Sequence, residues 1–197
     1  MAGQLDRSRL ARVVIVGTSC AGKTTLARAL SAVLGEPHVE LDALHWGPRW
    51  TPVPTNQFVT SVERAIAGPG WVIDGNYATV RERVWRRATT LIWLDLPFSI
   101  VFPRAVYRTV RRIVTREQLW AGNRESFALR NPDWIPWWVL RTYWRRRRDY
   151  ALLLQESQYA HLQVLALRRR GDADRLVVSL RSESSSGPHR TLGPARD

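Results

Sequence analysis

The stretch VVIVGTSCAGKTTLARAL, residues 13–30, decides the fold of this 197-residue chain. Four consecutive apolar residues predict a buried strand, two glycines then bracket a short turn, and an amphipathic segment predicts a helix. Residues 17–24, GTSCAGKT, match the Walker A pattern G-x-x-x-x-G-K-[ST] in full, and the strand before them and the helix after them are the context that this pattern requires. In such a loop, backbone N–H groups and the helix N-terminus point at phosphate oxygens.

The loop also predicts which residues hold a nucleoside triphosphate. Lys23 is expected to reach the β and γ phosphates, and the Thr24 hydroxyl is expected to ligate Mg²⁺. Lys23 is the single lysine among 30 basic residues, and a planar guanidinium could not replace its compact ammonium there. The predicted cofactors are therefore ATP and Mg²⁺. The predicted nucleotide contacts are Gly17, Thr18, Ser19, Cys20, Ala21, Gly22, Lys23, Thr24 and Thr25.

Composition narrows the class of protein further. A hydrophobic content of 45% is ordinary for a globular domain. No apolar run approaches the roughly 20 residues of a membrane span, and the first ten residues lack the apolar core of a signal peptide. With one cysteine, no internal disulfide forms, so we expect a cytoplasmic protein. We also expect a monomer or homodimer that makes no membrane contact. The net charge of +13 keeps nucleic acid open as an alternative partner.

Short apolar runs alternate with helical patterns along the chain, which predicts a parallel sheet covered on both faces, an α/β three-layer sandwich. We expect a single P-loop kinase-like domain over residues 1–181, a helical lid at about 104–148, and a disordered tail over 182–197. Thr55 and Asp172 are predicted helix caps. The predicted strands are Arg12–Val16, His38–Leu41, Trp71–Ile73, Thr90–Leu94 and Leu162–Leu167. The predicted helices are Lys23–Leu34, Asn56–Ala67, Thr79–Arg86, Phe98–Val114, Trp137–Leu154 and Ala173–Leu180.

Three acids follow predicted strands, at the edge of an open α/β sheet where ligands bind. Asp42 in HVELDAL, Asp74 in WVIDGNY and Asp95 in LIWLDLP each end a strand. A carboxylate beside the loop can hold Mg²⁺ through water, and another can accept the proton of an attacking hydroxyl. We interpret Asp74 as a metal-site residue and Asp42 as a catalytic or acceptor-binding residue. Asp95 we interpret as a helix cap.

The segment LDALHWGPRWTPVP, residues 41–54, is punctuated by proline and carries His45, Trp46 and Arg49. One interpretation is a pocket wall on which aromatic rings hold a substrate ring while Arg49 meets an anion. The other is a surface loop whose tryptophans pack beneath it.

Over residues 11–180, the chain resembles adenylate kinase-related P-loop proteins labelled topology modulation proteins (FlaR-like). The resemblance is carried by the phosphate loop and by the segments VELDALHWGPRWTPVP, WVIDGNYATVRERVWRRA, LIWLDLP and LWAGNRESF. The resemblance implies the nucleoside-monophosphate-kinase fold, with a parallel five-stranded sheet in the order 2-3-1-4-5. It also implies an acceptor site near the second and third strands and an arginine-rich lid after the fourth. Asp74 resembles the acid of the adenylate kinase motif D-G-[F]-P, and Arg81 resembles an arginine that binds the acceptor phosphate. Asn76 and Tyr77 stand where that motif has Phe and Pro, so AMP is not assigned as the acceptor, and Asn76 is taken as a substrate contact.

Arginines of the lid are expected to stabilise the moving phosphoryl group. Arg108, Arg112 and Arg116 recur at helical spacing, and Arg124 lies in the turn AGNRES. Arg112 and Arg124 are predicted catalytic residues, and Arg108 a predicted substrate contact. The run RTYWRRRRDY, residues 141–150, is interpreted mainly as a solvated face, with nucleic-acid contact and lid closure as the alternatives. The tryptophans of PDWIPWWVL are interpreted as a core between lid helices, with a base-stacking platform and an interfacial membrane anchor as the alternatives. Cys20 lies near a helix N-terminus, a setting that lowers a thiol pKa; the alternative is a tolerated residue at an unconstrained position.

These residues predict an ATP-dependent kinase that transfers the γ-phosphoryl group to a small acceptor, either a nucleotide or a metabolite alcohol. The alternatives are a nucleic-acid-associated P-loop ATPase and an ATP-binding regulator without turnover.

Overall fold

The computed structural model describes residues 6–125 and 134–185. Five parallel strands form one sheet in the order β2-β3-β1-β4-β5, with helices around it, which confirms the predicted fold class. The strands are β1 (Arg12–Gly17), β2 (His38–Glu40), β3 (Trp71–Asp74), β4 (Thr90–Leu94) and β5 (Gln163–Leu167). The helices are α1 (Lys23–Leu34), α2 (Leu41–His45), α3 (Thr55–Ala65), α4 (Ala78–Arg87), α5 (Phe98–Val114), α6 (Ile135–Leu153) and α7 (Asp172–Ser185).

Strand β1 lies at the centre of the sheet and sets the position of the phosphate loop. Ile15 pairs with Asp74 of β3, and Gly17 pairs with Leu94 of β4. The carboxyl ends of three neighbouring strands therefore meet at one edge, directly under the loop that begins at Gly17.

Alternate residues of β1 enter two separate cores because successive side chains of a strand point to opposite faces. Val14 and Val16 pack with Phe58 and Val62 of α3 and with α4. Val13 and Ile15 pack instead with residues of α1 and α7. A sheet buried on both faces gives the three-layer arrangement and explains the nearly continuous apolar strands.

The second predicted strand is one residue too long. It ends at Glu40, and Leu41 begins the short helix α2, so Asp42 lies in the first turn of a helix and not at the end of a strand. Leu41 is buried against the sheet, and this tertiary contact outweighs the strand preference of the sequence.

Two predicted helix caps are also wrong. Pro54 occupies the N-cap of α3, and Thr55 is already inside the helix. Asp172 begins α7, and its Oδ2 accepts the N–H groups of Arg168 and Arg169 from the preceding loop. Helix α7 extends to Ser185, into the predicted tail, and the rest of that tail lies outside the described residues.

The predicted lid contains an antiparallel pair of helices, α5 and α6. Val101 and Ala105 of α5 pack with Val139 and Tyr143 of α6 in a small core of their own. The Tyr143 hydroxyl donates to the Leu96 carbonyl at 2.9 Å, which fixes α6 to the end of β4. Part of the predicted lid, residues 126–133, lies outside the described residues. Within the described part of the chain, no helix is long and apolar enough to cross a membrane.

Candidate functional site

The phosphate loop has the backbone that its glycines predict. Gly17 has φ 147°, and a Cβ there would lie 2.8 Å from the Leu94 carbonyl oxygen, so only glycine fits. Gly22, with φ 99°, caps α1, and the space where its Cβ would project is open to 4 Å. Lys23 reaches back over the loop, where its Nζ donates to the Thr18 carbonyl at 3.2 Å.

The loop residues fit a bound triphosphate. The Thr18 hydroxyl is buried and has no hydrogen-bond partner among the described residues. Desolvation lowers the pKa of Lys23, while the carboxylates of Asp42 and Asp74 oppose that shift. Phosphate oxygens would satisfy the hydroxyl and replace the solvation that the ammonium has lost.

Beside the loop, Thr24 faces two carboxylates. Its hydroxyl lies 3.2 Å from Asp74 Oδ1 and 3.3 Å from Glu40 Oε1. Asp74 is only 1% exposed, and its Oδ2 lies 2.8 Å from His38 Nε2. The structure thus brings together the predicted pair Thr24 and Asp74, and adds Glu40 and His38.

Glu40 and His38 are not among the residues predicted from the sequence. They are two residues apart on β2, so they project to the same face of the strand. In the sequence, the polar residues His38 and Glu40 alternate with the apolar Val39 just before Asp42, and this pattern could have indicated a polar strand face.

The oxygen donors of Thr24, Asp74 and Glu40 are of the kind that Mg²⁺ prefers. Within the described residues, no group of three or more His, Cys, Asp or Glu side chains could hold a metal ion without help. The donor set fits a Mg²⁺ ion that takes its other ligands from water and from nucleotide phosphates, as this ion usually does.

Near the phosphate loop, a wall of aromatic rings adjoins Asp42. Tyr77 donates its hydroxyl proton to Asp42 Oδ1 at 2.5 Å, and burial and the Asp42 charge raise the pKa of Tyr77. The His45 ring lies 4.5 Å from the Tyr77 ring and 5.1 Å from the Phe58 ring, and burial lowers the pKa of His45. Trp46 contacts the His45 ring edge-on at 4.7 Å. Residues 42–46 therefore line a wall next to the phosphate loop.

The tip of the lid is bonded to the segment that follows this wall. Asn123, 5% exposed, donates from Nδ2 to the Gly47 carbonyl at 2.8 Å, and its Oδ1 accepts the Trp50 N–H at 2.9 Å. The Trp50 indole donates to the Arg124 carbonyl at 3.1 Å. Arg49, between these contacts, has φ 57° and an exposed side chain.

The predicted lid arginines have different surroundings. Arg108 is half-buried, and its Nε has no hydrogen-bond partner among the described residues. Arg112 forms ion pairs with Glu125 at 2.9 Å and with Glu117 at 3.5 Å. The Arg124 side chain is exposed. Arg116 was predicted to continue the helical row, but α5 ends at Val114 and Arg116 has φ 49°.

Helix α6 supplies two residues to the site that the sequence analysis did not assign. Arg146 is half-buried, and its charge interacts with Asp42, Tyr77 and Lys23. Tyr150, one turn later, donates to Asn76 Oδ1 at 2.8 Å. The sequence does not identify which of the four consecutive arginines is the buried one, because only the tertiary packing of α6 determines its buried face.

The side chains of two predicted substrate contacts, Asn76 and Arg81, already contact other residues of the protein. Asn76 bonds both polar groups of Gly17, donating to its carbonyl and accepting its N–H at 3.4 Å. Arg81 lies over the Trp85 ring, 5.8 Å from its centroid. These contacts tie the β3 loop to the phosphate loop and α4.

A cavity of about 420 Å³ adjoins the phosphate loop on the side of α5 and the β5–α7 loop. Its lining includes Gly22, Leu96 and Tyr107, with arginines around them. The lining arginines are Arg104, Arg108, Arg111, Arg169 and Arg170. An elongated anion that starts on the loop has room to extend here.

Two further predictions are wrong. Cys20 packs against the small lid core, and burial raises its thiol pKa, although Arg108 and Lys23 act in the opposite direction. Asp95 caps no helix, since Pro97 is the N-cap of α5. Its buried carboxylate instead binds Arg147 at 2.7 Å and Arg168 at 3.3 Å, joining α6 to the end of β5.

Solved structures with a similar fold include two shikimate kinases. The chain is similar to shikimate kinase from Acinetobacter baumannii in complex with shikimate, with a TM-score of 0.52, 14% identity, and coverage of 93% of this chain and 96% of that one. It is similar to shikimate kinase from Bacteroides thetaiotaomicron, with a TM-score of 0.52, 14% identity, and coverage of 89% and 98%. A gluconokinase from Sinorhizobium meliloti 1021 gives a TM-score of 0.49, 15% identity, and coverage of 90% and 93%.

No protein-family model matches the chain, and no curated protein matches it in sequence. At these low identities the structural likeness shows the fold.

Proposed function

We propose that this protein is an ATP-dependent phosphotransferase that moves the γ-phosphoryl group to a hydroxyl of a small acceptor. The observation that carries the proposal is the position of Asp42, whose carboxylate is held by Tyr77 and interacts electrostatically with Lys23. A nucleotide hydrolase needs only the residues that bind the triphosphate, which are the donor half of such a site. An acid on a ring-lined wall opposite the phosphate lysine supplies an acceptor half.

On the donor side, the loop from Gly17 to Thr25 would hold the phosphates, and Lys23 would neutralise charge on the β and γ groups. Thr24 and Asp74, with Glu40, would hold Mg²⁺, and His38 would orient Asp74 through its 2.8 Å contact. Bound Mg²⁺ supplies charge neutralisation for the departing diphosphate. Arg108, with a free Nε at the cavity, would contact the nucleotide phosphates.

On the acceptor side, Asp42 would accept the hydroxyl proton while the acceptor oxygen bonds to the γ-phosphorus. In the same step, the bond between the γ-phosphorus and the β–γ bridging oxygen breaks. ADP leaves with the bridging oxygen, and the proton remains on Asp42 until water removes it. The wall of His45, Trp46 and Tyr77 would exclude water, which limits plain hydrolysis.

Other evidence agrees with this proposal without deciding it. The shikimate kinases of similar fold are phosphotransferases by name. The resemblance to topology modulation proteins, a cytoplasmic location and a monomeric or homodimeric state remain proposals. Movement of the lid would bring Arg49, Arg112 and Arg124 to the site. Arg112 would first have to leave Glu125, with which it is paired.

The test is acceptor-stimulated ATP consumption over a panel of small alcohols and nucleoside monophosphates. Asp42→Asn should lower the stimulated rate by about 10²- to 10⁴-fold, as expected for a general base, while ATP binding is retained. Asp149→Asn, an exposed acid on α6, is the matched control and should leave the rate unchanged. If no member of the panel stimulates ATP consumption by the unmodified protein, the proposal fails.

One observation supports a second candidate, a nucleic-acid-associated ATPase. Trp137 and Trp144 are 45% and 57% exposed on α6, where Arg141 and Arg148 are also exposed. Together with the net charge of +13, this surface could contact phosphates and stack bases. Binding to a single-stranded oligonucleotide that weakens steeply between 50 and 200 mM salt would support it, in the manner of counterion release. No binding at about 0.15 M salt would exclude it.

A further inference from the structure

Arg146 differs from the arginines on either side of it. In the run Arg145 to Arg148, the other three side chains are exposed, whereas Arg146 is half-buried. It lies on the face of α6 that carries Val139 and Tyr150, both 4% exposed or less. That face turns toward the phosphate loop, since the Tyr150 hydroxyl bonds Asn76, which in turn bonds Gly17.

The guanidinium of Arg146 is placed at the acceptor side of the site. Its charge interacts with Asp42 and Tyr77, which form the ring-lined wall, and with Lys23 of the loop. The Trp138 ring lies beneath it, 5.4 Å from Arg146 Cζ to the ring centroid. A planar aromatic support of this kind restricts a guanidinium while leaving its N–H groups available.

Arg146 has no carboxylate within ion-pair distance among the described residues, although its burial is substantial. Two other arginines of this region do have such a partner, since Arg112 pairs with Glu125 at 2.9 Å and Arg147 pairs with Asp95 at 2.7 Å. A partly desolvated cation without a carboxylate in ion-pair contact is costly, and proteins usually provide such a group or bind a ligand that carries one.

We propose that Arg146 binds an anionic group of the acceptor, so that the acceptor carries both a hydroxyl for Asp42 and a separate carboxylate or phosphate. This inference rests on the proposed function and specifies its substrate class. Asp42 on α2 and Arg146 on α6 would together orient the acceptor, because two polar anchors determine which hydroxyl faces the γ-phosphorus. Arg146 would act by binding the acceptor and would take no part in proton transfer.

The experiment compares acceptors in pairs that differ in one charged group. The pairs are D-gluconate with D-glucitol, shikimate with its methyl ester, glycerol 3-phosphate with glycerol, and AMP with adenosine. The first two pairs test a carboxylate and the last two a phosphate. For each compound, kcat/KM for acceptor-stimulated ATP consumption is measured with the unmodified protein, Arg146→Gln, Arg146→Lys and the exposed neighbour Arg145→Gln.

With the unmodified protein, we expect an anionic acceptor to exceed its neutral partner. Arg146→Gln should lower kcat/KM for the anionic member by about 10- to 100-fold, the usual range for a lost charge-assisted bond, mainly through KM. The neutral member should change less than about threefold. Arg146→Lys should recover part of the loss, since the charge returns without the planar fork. Arg145→Gln should leave the ratio of the pair unchanged.

The outcomes separate this inference from the proposed function. If Arg146→Gln lowers kcat equally for anionic and neutral acceptors, Arg146 acts on the transferred phosphoryl group, and the inference is wrong while the kinase proposal stands. If neutral acceptors are used as well as anionic ones, the inference is also wrong. If no compound stimulates ATP consumption, the kinase proposal itself fails, and the inference fails with it.

Discussion

Asn123 joins the lid tip to the acceptor wall, and its removal should open that end of the site. Its buried amide makes two hydrogen bonds, of 2.8 Å to the Gly47 carbonyl and 2.9 Å from the Trp50 N–H. A neutral hydrogen bond contributes about 0.5–1.5 kcal/mol net, so Asn123→Ala should shift the closed-to-open equilibrium by about 2 kcal/mol. That free energy corresponds to about a 30-fold larger open fraction.

Hydrogen exchange measures this opening directly, because the Trp50 N–H is one of the two bonded groups. Its exchange rate should rise by about the same factor as the open fraction if closing is fast. The Trp50 indole N–H, bonded to the Arg124 carbonyl at 3.1 Å, should exchange faster as well. Amides in the centre of β1 should not change, since the two lost bonds connect only the lid tip and the segment after the wall.

The control is Asn56→Ala. Asn56 is exposed, and among the described residues its side chain accepts only the N–H of Gln57 next to it, at 2.9 Å. This variant should leave the exchange of Trp50 unchanged. The reasoning is refuted if Asn123→Ala changes the exchange rate of the Trp50 N–H by less than about threefold, or if β1 amides accelerate equally, which would indicate global destabilisation.

Three further predictions concern the phosphate loop and the base of the lid. Alkylation of Cys20, the single cysteine, should still accelerate above pH 9 because burial raises its pKa above the usual thiol value of about 8.5; a rate that levels off below pH 8 would contradict this. Asp95→Asn should lower the free energy of unfolding in urea by about 1–2 kcal/mol, since a buried carboxylate loses two partners that are themselves exposed. Glu82→Gln, in an exposed pair with Arg86, should cost under about 0.5 kcal/mol; equal losses would show that burial does not matter here. Gly17→Ala should destabilise more than Gly22→Ala, because both have positive φ but only Gly17 has a carbonyl oxygen 2.8 Å from the added Cβ; the order of the two melting temperatures checks this.

The loop, the central strand and the order of the elements were predictable because their signals are local. A strand, a glycine turn and a helix are adjacent in residues 12–34, and all five predicted strands agree with the structure to within one residue at each end. The fold class followed from the alternation of strands and helices, the sheet order followed from the resemblance, and both are confirmed. Asp74 lies where its position at a strand end indicated, at the loop edge.

The predictions that failed depended on contacts between distant segments. The Asp95 carboxylate finds Arg147 and Arg168 rather than the next helix, and the pKa of Cys20 follows from the lid core packed on it. A local pattern contains neither contact.

The residues of VVIVGTSCAGKTTLARAL therefore specify a phosphate-binding loop on a parallel sheet, because hydrophobic alternation, glycine conformation and helix polarity all act within a few residues. The sequence does not disclose which of four consecutive arginines enters the site, or that Glu40 and His38 join Thr24 and Asp74. Those choices depend on how α6 and β2 pack against the sheet, since packing alone decides which side chains lose contact with water.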